Sequence, residues 1–279
     1  MPAFDTPEPI SVTVQLQVGT SRIIAGARTD TVVDVRPADP GSDADVKAAE
    51  QTRVEYSGGR LQVRGARRHT LFGNPGSVDV TIELPDDSDV HGTASMGDFR
   101  CEGRLGRCTL KTGYGDIHVD QAATQRLDTG YGDVTVGHAA GDAELTTGSG
   151  SLEVRTIEGT AVIKNSNGHS RVGEVTGDLR VSSANGDITV ERAHAAVNAR
   201  TACGSVRVGE VVRGSVVLGS AYGDLEIGIR RGTSAWLDVS AGYGSVHNAL
   251  DAAEGPVRTD DTVEVHARTG YGDVLVRRA

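Results

Sequence analysis

"GDLRVSSAN" at residues 177–185 is followed without a gap by "GDITVERAH" at residues 186–194. Each stretch opens on Gly-Asp and places apolar residues at its third and fifth positions, Leu179 and Val181 in one and Ile188 and Val190 in the other. Apolar, mostly branched residues alternating with polar ones have the period of a strand with one buried face. The repeat length of nine residues is odd, so inward positions change parity from one stretch to the next. A straight strand cannot do that, and the chain must bend once per stretch. Two short strands and two corners make one coil of eighteen residues.

The same coil recurs on both sides. Taking the second glycine of each motif as origin, copies fall at Gly97, Gly115, Gly132, Gly150, Gly168, Gly186, Gly204, Gly223, Gly244 and Gly272. Their spacings are 18, 17, 18, 18, 18, 18, 19, 21 and 28 residues. Four positions after the origin stand Val119, Val136, Val154, Val172, Val190 and Val208, an inward column. Three positions before it, Thr112, Thr129, Thr147, Thr201 and Thr269 form a hydroxyl ladder suited to bonding corner backbone groups. Eighteen residues cannot supply two strands and a crossover helix, which excludes a βαβ sheet. The fold expected is all-β, a parallel β-solenoid (β-helix) with about 18 residues per coil over residues 91–279.

Residues 1–90 lack this beat and read as a small strand-rich N-terminal cap. "ISVTVQLQV" (10–18), "TDTVVDVRP" (29–37), the Gly-Gly hairpin "TRVEYSGGRLQVRG" (52–65) and "SVDVTIELP" (77–85) read as strands. Ser42 is placed to cap a short helix through "SDADVKAAEQ" (42–51). A cap is needed because an open solenoid end exposes strand edges and core. At the other end, "HNALDAAEGPVRTDDTVEV" (247–265) reads as a loop or covering flap.

Composition narrows the function. Thirty-seven glycines and an aromatic content of 4% suit many turns around a thin core. A net charge of −10 without basic runs argues against a nucleic-acid partner. The N-terminus lacks a basic segment leading into an apolar one, and no apolar stretch reaches membrane-spanning length; a cytoplasmic location and no membrane span are expected. Cys101, Cys108 and Cys203 are odd in number and lack metal-clip spacing, so they read as reduced thiols.

Two columns could carry function. Tyr114, Tyr131, Tyr222, Tyr243 and Tyr271 all stand just before the origin, and Asp116 and Asp133 belong to an aspartate column just after it. Stacked tyrosines either pack over corner glycines as a ladder or offer a face to a protein or glycan. Stacked carboxylates either accept turn N–H groups or share a cation, and the serines that alternate with them favour the turn role. No cofactor or metal site is indicated. The eight histidines are scattered, and neither a GxSxG elbow nor a phosphate-cradling loop before a helix occurs. With the nucleophile, base and oxyanion roles unfilled, a catalytic role is not expected.

The repeated "TGYGD[IV]xV" motif at 112–119, 129–136 and 269–276, with the strand-rich lead-in, resembles the bacterial "putative adhesin" family, a domain of unknown function built from β-strand repeats. That resemblance implies a β-helical, non-catalytic protein, with some relatives linked to cell-envelope stress, and it carries over no ligand residues. The function expected is therefore a β-solenoid scaffold with an unknown protein or glycan partner, its contact surface on the Tyr and Asp columns. A calcium- or glycan-binding repeat module is the alternative, and a polysaccharide-acting enzyme the weakest reading. Oligomeric state is not readable from the sequence.

Overall fold

A computed structural model describes residues 2–65, 76–250 and 261–279. The fold is a β-solenoid, and the described residues are nearly all strand with one short helix. Its chain divides into two compact units, Met1–Ala140 and Gly141–Ala279. No helix among the described residues is long and apolar enough to cross a membrane.

The second unit shows the repeat most plainly. Its strands, numbered in chain order after the ten of the first unit, are β11 (Ala143–Ser149), β12 (Leu152–Ile157), β13 (Ala161–Asn167), β14 (Ser170–Val175), β15 (Leu179–Asn185) and β16 (Ile188–Ala193). They continue as β17 (Val197–Cys203), β18 (Val206–Val211), β19 (Gly214–Tyr222), β20 (Leu225–Ile229), β21 (Ser234–Tyr243), β22 (Val246–Asn248), β23 (Thr262–Tyr271) and β24 (Val274–Arg278). Odd-numbered strands pair in parallel with odd, and even with even, so each coil contributes one strand to each of two facing sheets. Val154, Val172, Val190 and Val208 stack inward and are at most 1% exposed. Burying each such side chain contributes about 1.5–3 kcal/mol, which is how a thin core holds.

Chain order and stacking order part company after β20. The final coil, β23–β24, lies between β19–β20 on one side and β21–β22 on the other: Tyr222 and Tyr243 both register with Tyr271, and Leu225 and Val246 both with Val274. Coils of a regular repeat would stack in chain order, and the last two do not. The physical reason lies in the columns. Val263, Val265, Ala267, Val274 and Val276 make a buried core layer, whereas the coil that is earlier in sequence carries exposed Val246 and polar Asn248 at its inward positions and makes the outer layer. Of the flap expected at 247–265, residues 251–260 lie outside the described residues, and the rest belongs partly to β22 and β23.

The first unit contains β1 (Ala3–Asp5), β2 (Ser11–Gly26), β3 (Asp30–Pro37), helix α1 (Asp43–Gln51), β4 (Arg53–Ser57) and β5 (Arg60–Arg64). These are followed by β6 (Val78–Pro85), β7 (Asp89–Met96), β8 (Phe99–Tyr114), β9 (Ile117–Tyr131) and β10 (Val134–Ala139). The long strand β2 is itself a coil, bent at Gly19, and it too is intercalated. It pairs in parallel with β5 and β6 on one side and with β7 and β8 on the other. Beyond β5 and β6 the pairing turns antiparallel, through β4 and β3, and β1 then adds to β3. That change closes the parallel stack with strands whose own hairpin-like pairing needs no further coil. Ser42 caps α1 by accepting from the Asp45 amide, and the buried Asp45 carboxylate accepts from Asp39 and Ser77 at 3.1 and 3.0 Å, tying the helix to the strands beneath.

Candidate functional site

The corner that carries the tyrosines and aspartates is built by three columns acting together. Thr112 and Thr129 lie buried and donate their hydroxyls to the carbonyls of Gly97 and Gly115 at 2.9 Å; Ser220 and Thr269 do the same to Gly204 and Gly223 at 2.8 and 2.7 Å. The bend removes those carbonyls from the strand ladder, and the hydroxyl column satisfies them. The residue just before the bend is thereby turned outward.

Tyr114 and Tyr131 stand there as a stacked pair, ring centroids 4.9 Å apart and planes within 5°. In the second unit Tyr222, Tyr271 and Tyr243 form a row of three in that spatial order, with centroids 5.0 and 4.7 Å apart. All five tyrosines remain 48–70% exposed. Stacking of adjacent rungs accounts for the parallel planes, since the strand spacing of about 4.8 Å fits an offset aromatic pair. It leaves the outer edges and hydroxyls of every ring in solvent. Met96 extends the column of the first unit beside Tyr114 and is 53% exposed.

The aspartates have a defined backbone role. Asp98 accepts from the Asp116 amide and Asp116 from the Asp133 amide, both at 2.8 Å. In the second unit Asp187 receives the Ser205 amide, Ser205 the Asp224 amide, Asp224 the Asp273 amide and Asp273 the Ser245 amide. Serine and aspartate thus alternate because either can accept the N–H of the next rung. Asp116 and Asp133 remain exposed along one edge of the tyrosine column. Among the described residues, no group of three or more His, Cys, Asp or Glu side chains is placed to hold a metal ion.

The cysteines separate by environment. Cys101 and Cys108 are buried and unbridged; contact with Cys108 and then burial push the Cys101 thiol well above its ordinary value, so it stays protonated and fills core. Cys203 is exposed in the tyrosine column.

One charged cluster ties the outer coil of the second unit to its neighbour. His266 on β23 bonds Asp238 of β21 at 3.2 Å and Glu264 at 3.0 Å, Arg268 bonds Asp238 at 3.0 Å, and Trp236 meets the His266 ring edge-on at 5.3 Å. The hydrogen bond that His266 donates to Asp238, then that to Glu264, raise the His266 pKa; the bonds Asp238 accepts from His266 and Arg268 lower its own. A raised histidine stabilises the fold fully below its unfolded pKa and loses that contribution as pH rises through the folded one. The lowered Asp238 contributes above its unfolded pKa and fades as pH falls through its folded one. Protection of the amides of residues 234–243, taken relative to the intrinsic exchange rate at each pH, is therefore expected to be greatest between the ordinary aspartate and histidine values, about pH 4 to 6.5, and to fall toward pH 9. In His266→Gln the alkaline limb should flatten; an unchanged limb, followed by hydrogen-exchange mass spectrometry, would contradict the clamp.

With five tyrosines aligned on the corners of repeated coils, the fold has a recognisable counterpart. The profile of one family, described as Toastrack DUF4097, matches residues 33–278. The chain belongs to the Toastrack DUF4097 family. Similar solved structures include a "putative adhesin" from Bacteroides fragilis, 12% identical, covering 99% of this chain and 95% of that one with a TM-score of 0.35. A "putative cell adhesion protein" from Clostridium sporogenes is 12% identical over 100% and 98% of the two chains, with a TM-score of 0.22. A "putative lipid binding protein" from Parabacteroides distasonis is 12% identical over 100% and 94%, with a TM-score of 0.30. No curated protein matches the chain. This Toastrack member thus has an assigned fold family, and its function rests on its own surface.

Sequence reasoning found the tyrosine and aspartate columns but missed a set of outward cations in the first unit, Arg53, Arg64 and Lys111. Arg53 and Arg64 face each other across the local β4–β5 hairpin, but that hairpin comes near Lys111 only through the intercalation of β2, which no local signal encodes.

Proposed function

We propose that this Toastrack chain is a non-catalytic β-solenoid scaffold that binds a protein or glycan partner through its tyrosine rows and the aspartates beside them. One observation carries the reading: five tyrosines are held side by side in a row of two and a row of three and still remain 48–70% exposed. Rings serving only to cover corner glycines would be expected to lie flat on them; these stand in register and present hydroxyls along a line. Rigid aromatic side chains contribute contact area at low entropic cost, which is why they concentrate at binding surfaces. Tyr114, Tyr131, Tyr222, Tyr243 and Tyr271 supply the rings, with Asp116 and Asp133 as the polar border. Strand-rich residues 1–90 act in this reading as the closing cap of the stack. The aspartate ladder is organised by backbone N–H groups, so its order needs no cation, and calcium is not part of the reading.

The double substitution Tyr114→Ser with Tyr131→Ser tests it. Each aromatic pair contributes about 0.5–1.5 kcal/mol, so the thermal midpoint should fall by only a few degrees. Capture of the partner on immobilised protein should weaken about tenfold or more, as loss of an aromatic anchor does. A collapse of the thermal midpoint with undiminished capture by the folded fraction would overturn the assignment.

A further inference from the structure

A cleft on the outer sheet face of the first unit has the composition of a ligand site. It is an open cleft of about 620 Å³, lined by Arg64, Gln15, Gln17, Thr93, Ser95 and Lys111 together with Leu16 and Ala94. Pairing places Arg64, Gln15, Thr93 and Lys111 in one row across four adjacent strands, β5, β2, β7 and β8. Gln17 and Ser95 lie beside that row and touch each other at 3.4 Å. Three strand spacings separate Arg64 from Lys111, about 14 Å.

The charges at the two ends differ. Lys111 is neutralised by Asp128 at 2.6 Å. Arg64 faces Arg53 directly across the antiparallel β4–β5 pair; both are exposed, and among the described residues neither guanidinium has an ion-pair partner. Like charges directly opposite on paired strands destabilise them. In a chain of net charge −10, a repelling arginine pair beside a cleft that carries amide and hydroxyl side chains is out of character with the rest of the surface.

We propose that this cleft binds an acidic oligosaccharide, whose carboxylates relieve the Arg53–Arg64 repulsion while its hydroxyls bond the amide and hydroxyl side chains of the floor. The chemistry selects this class over other anions. The cleft lies on a sheet face, where backbone N–H and C=O groups are already paired between strands, so a peptide has no edge to add to. Between Arg64 and Lys111 only side chains offer hydrogen bonds, and Gln15 and Thr93 are uncharged and one strand spacing apart, close to the length of one pyranose residue. Guanidinium groups bind carboxylates through paired, charge-assisted bonds. The inference goes beyond the scaffold reading, since it stands on the cations and floor of a different surface.

Calorimetric titration of the full chain at low ionic strength with trigalacturonate, maltotriose and triglutamate tests it. Trigalacturonate is expected to bind, to weaken with added salt, and to lose about tenfold or more in affinity in Arg64→Gln. Arg64→Gln removes a repulsion and should keep or raise the thermal midpoint; if it unfolds, Arg53→Gln supplies the same comparison. No heat with trigalacturonate, equal affinity in the arginine variant, or equal or tighter binding of maltotriose or triglutamate would each overturn the proposal. Tyr114→Ser with Tyr131→Ser should leave trigalacturonate binding intact, so failure of this inference and failure of the scaffold reading give different results.

Discussion

Gly132→Ala is expected to cost about 4 kcal/mol or more, enough to unfold much of the first unit at ordinary temperature. Two independent effects add. Gly132 has φ +147°, a backbone region populated almost only by glycine and costing other residues about 1–3 kcal/mol. A Cβ there would also lie 2.1 Å from the Gly115 carbonyl oxygen. That oxygen cannot yield freely, because it accepts the buried Thr129 hydroxyl at 2.9 Å. Relieving the clash therefore breaks a hydrogen bond inside the corner. Val119→Ala nearby provides the scale: Val119 is fully buried, and its truncation should cost about 1–3 kcal/mol through lost burial and a small cavity. Adding one methyl group at the corner is thus expected to do more harm than removing two from the core. Urea denaturation of both variants decides the order, and a smaller midpoint shift for Gly132→Ala would show that the corner relaxes.

Removing residues 262–279 should have an effect of comparable size but of different form. These residues form β23–β24, sandwiched between β19–β20 and β21–β22. Four of their valines, Val263, Val265, Val274 and Val276, are at most 1% exposed. At about 1.5–3 kcal/mol each, their burial matches the net stability of an ordinary domain, about 5–15 kcal/mol. Among the described residues β21 and β22 pair with no other strands, so the deletion should release residues 234–248 although it does not touch them. Exchange protection should vanish there and persist in β13–β18, because stacked repeats are stabilised mainly by nearest neighbours. Retained protection at 234–248 would mean that this coil can dock directly on β19–β20, as plain succession requires.

Much of the architecture was legible because it is written locally. Strand, corner and hydroxyl each recur at fixed offsets from a glycine, and the aspartate–serine interchange already pointed to a shared N–H acceptor, the geometry later seen at Asp98 and Asp116. The tyrosine column was equally plain, but its direction was not. Parity changes at the corner, so only the buried thronging of Thr112 and Thr129 beneath the bend shows that Tyr114 and Tyr131 point outward. Asn248 in an inward column was a visible sign that its coil belongs at an end; the longer spacings of 21 and 28 residues around it marked the same place.

By itself, then, the sequence determined a two-strand coil of eighteen residues, its inward columns and the residues at its corners, because alternation, odd repeat length and glycine placement act between near neighbours. Tertiary structure alone decided which coils touch. Parallel stacking accepts any coil of matching register, so the choice falls to core quality: coil 262–278 is placed inside 234–248, and β2 is placed between β5 and β7. That second choice is what aligns Arg64 and Lys111 on one face, although 47 positions separate them in the chain (111 − 64).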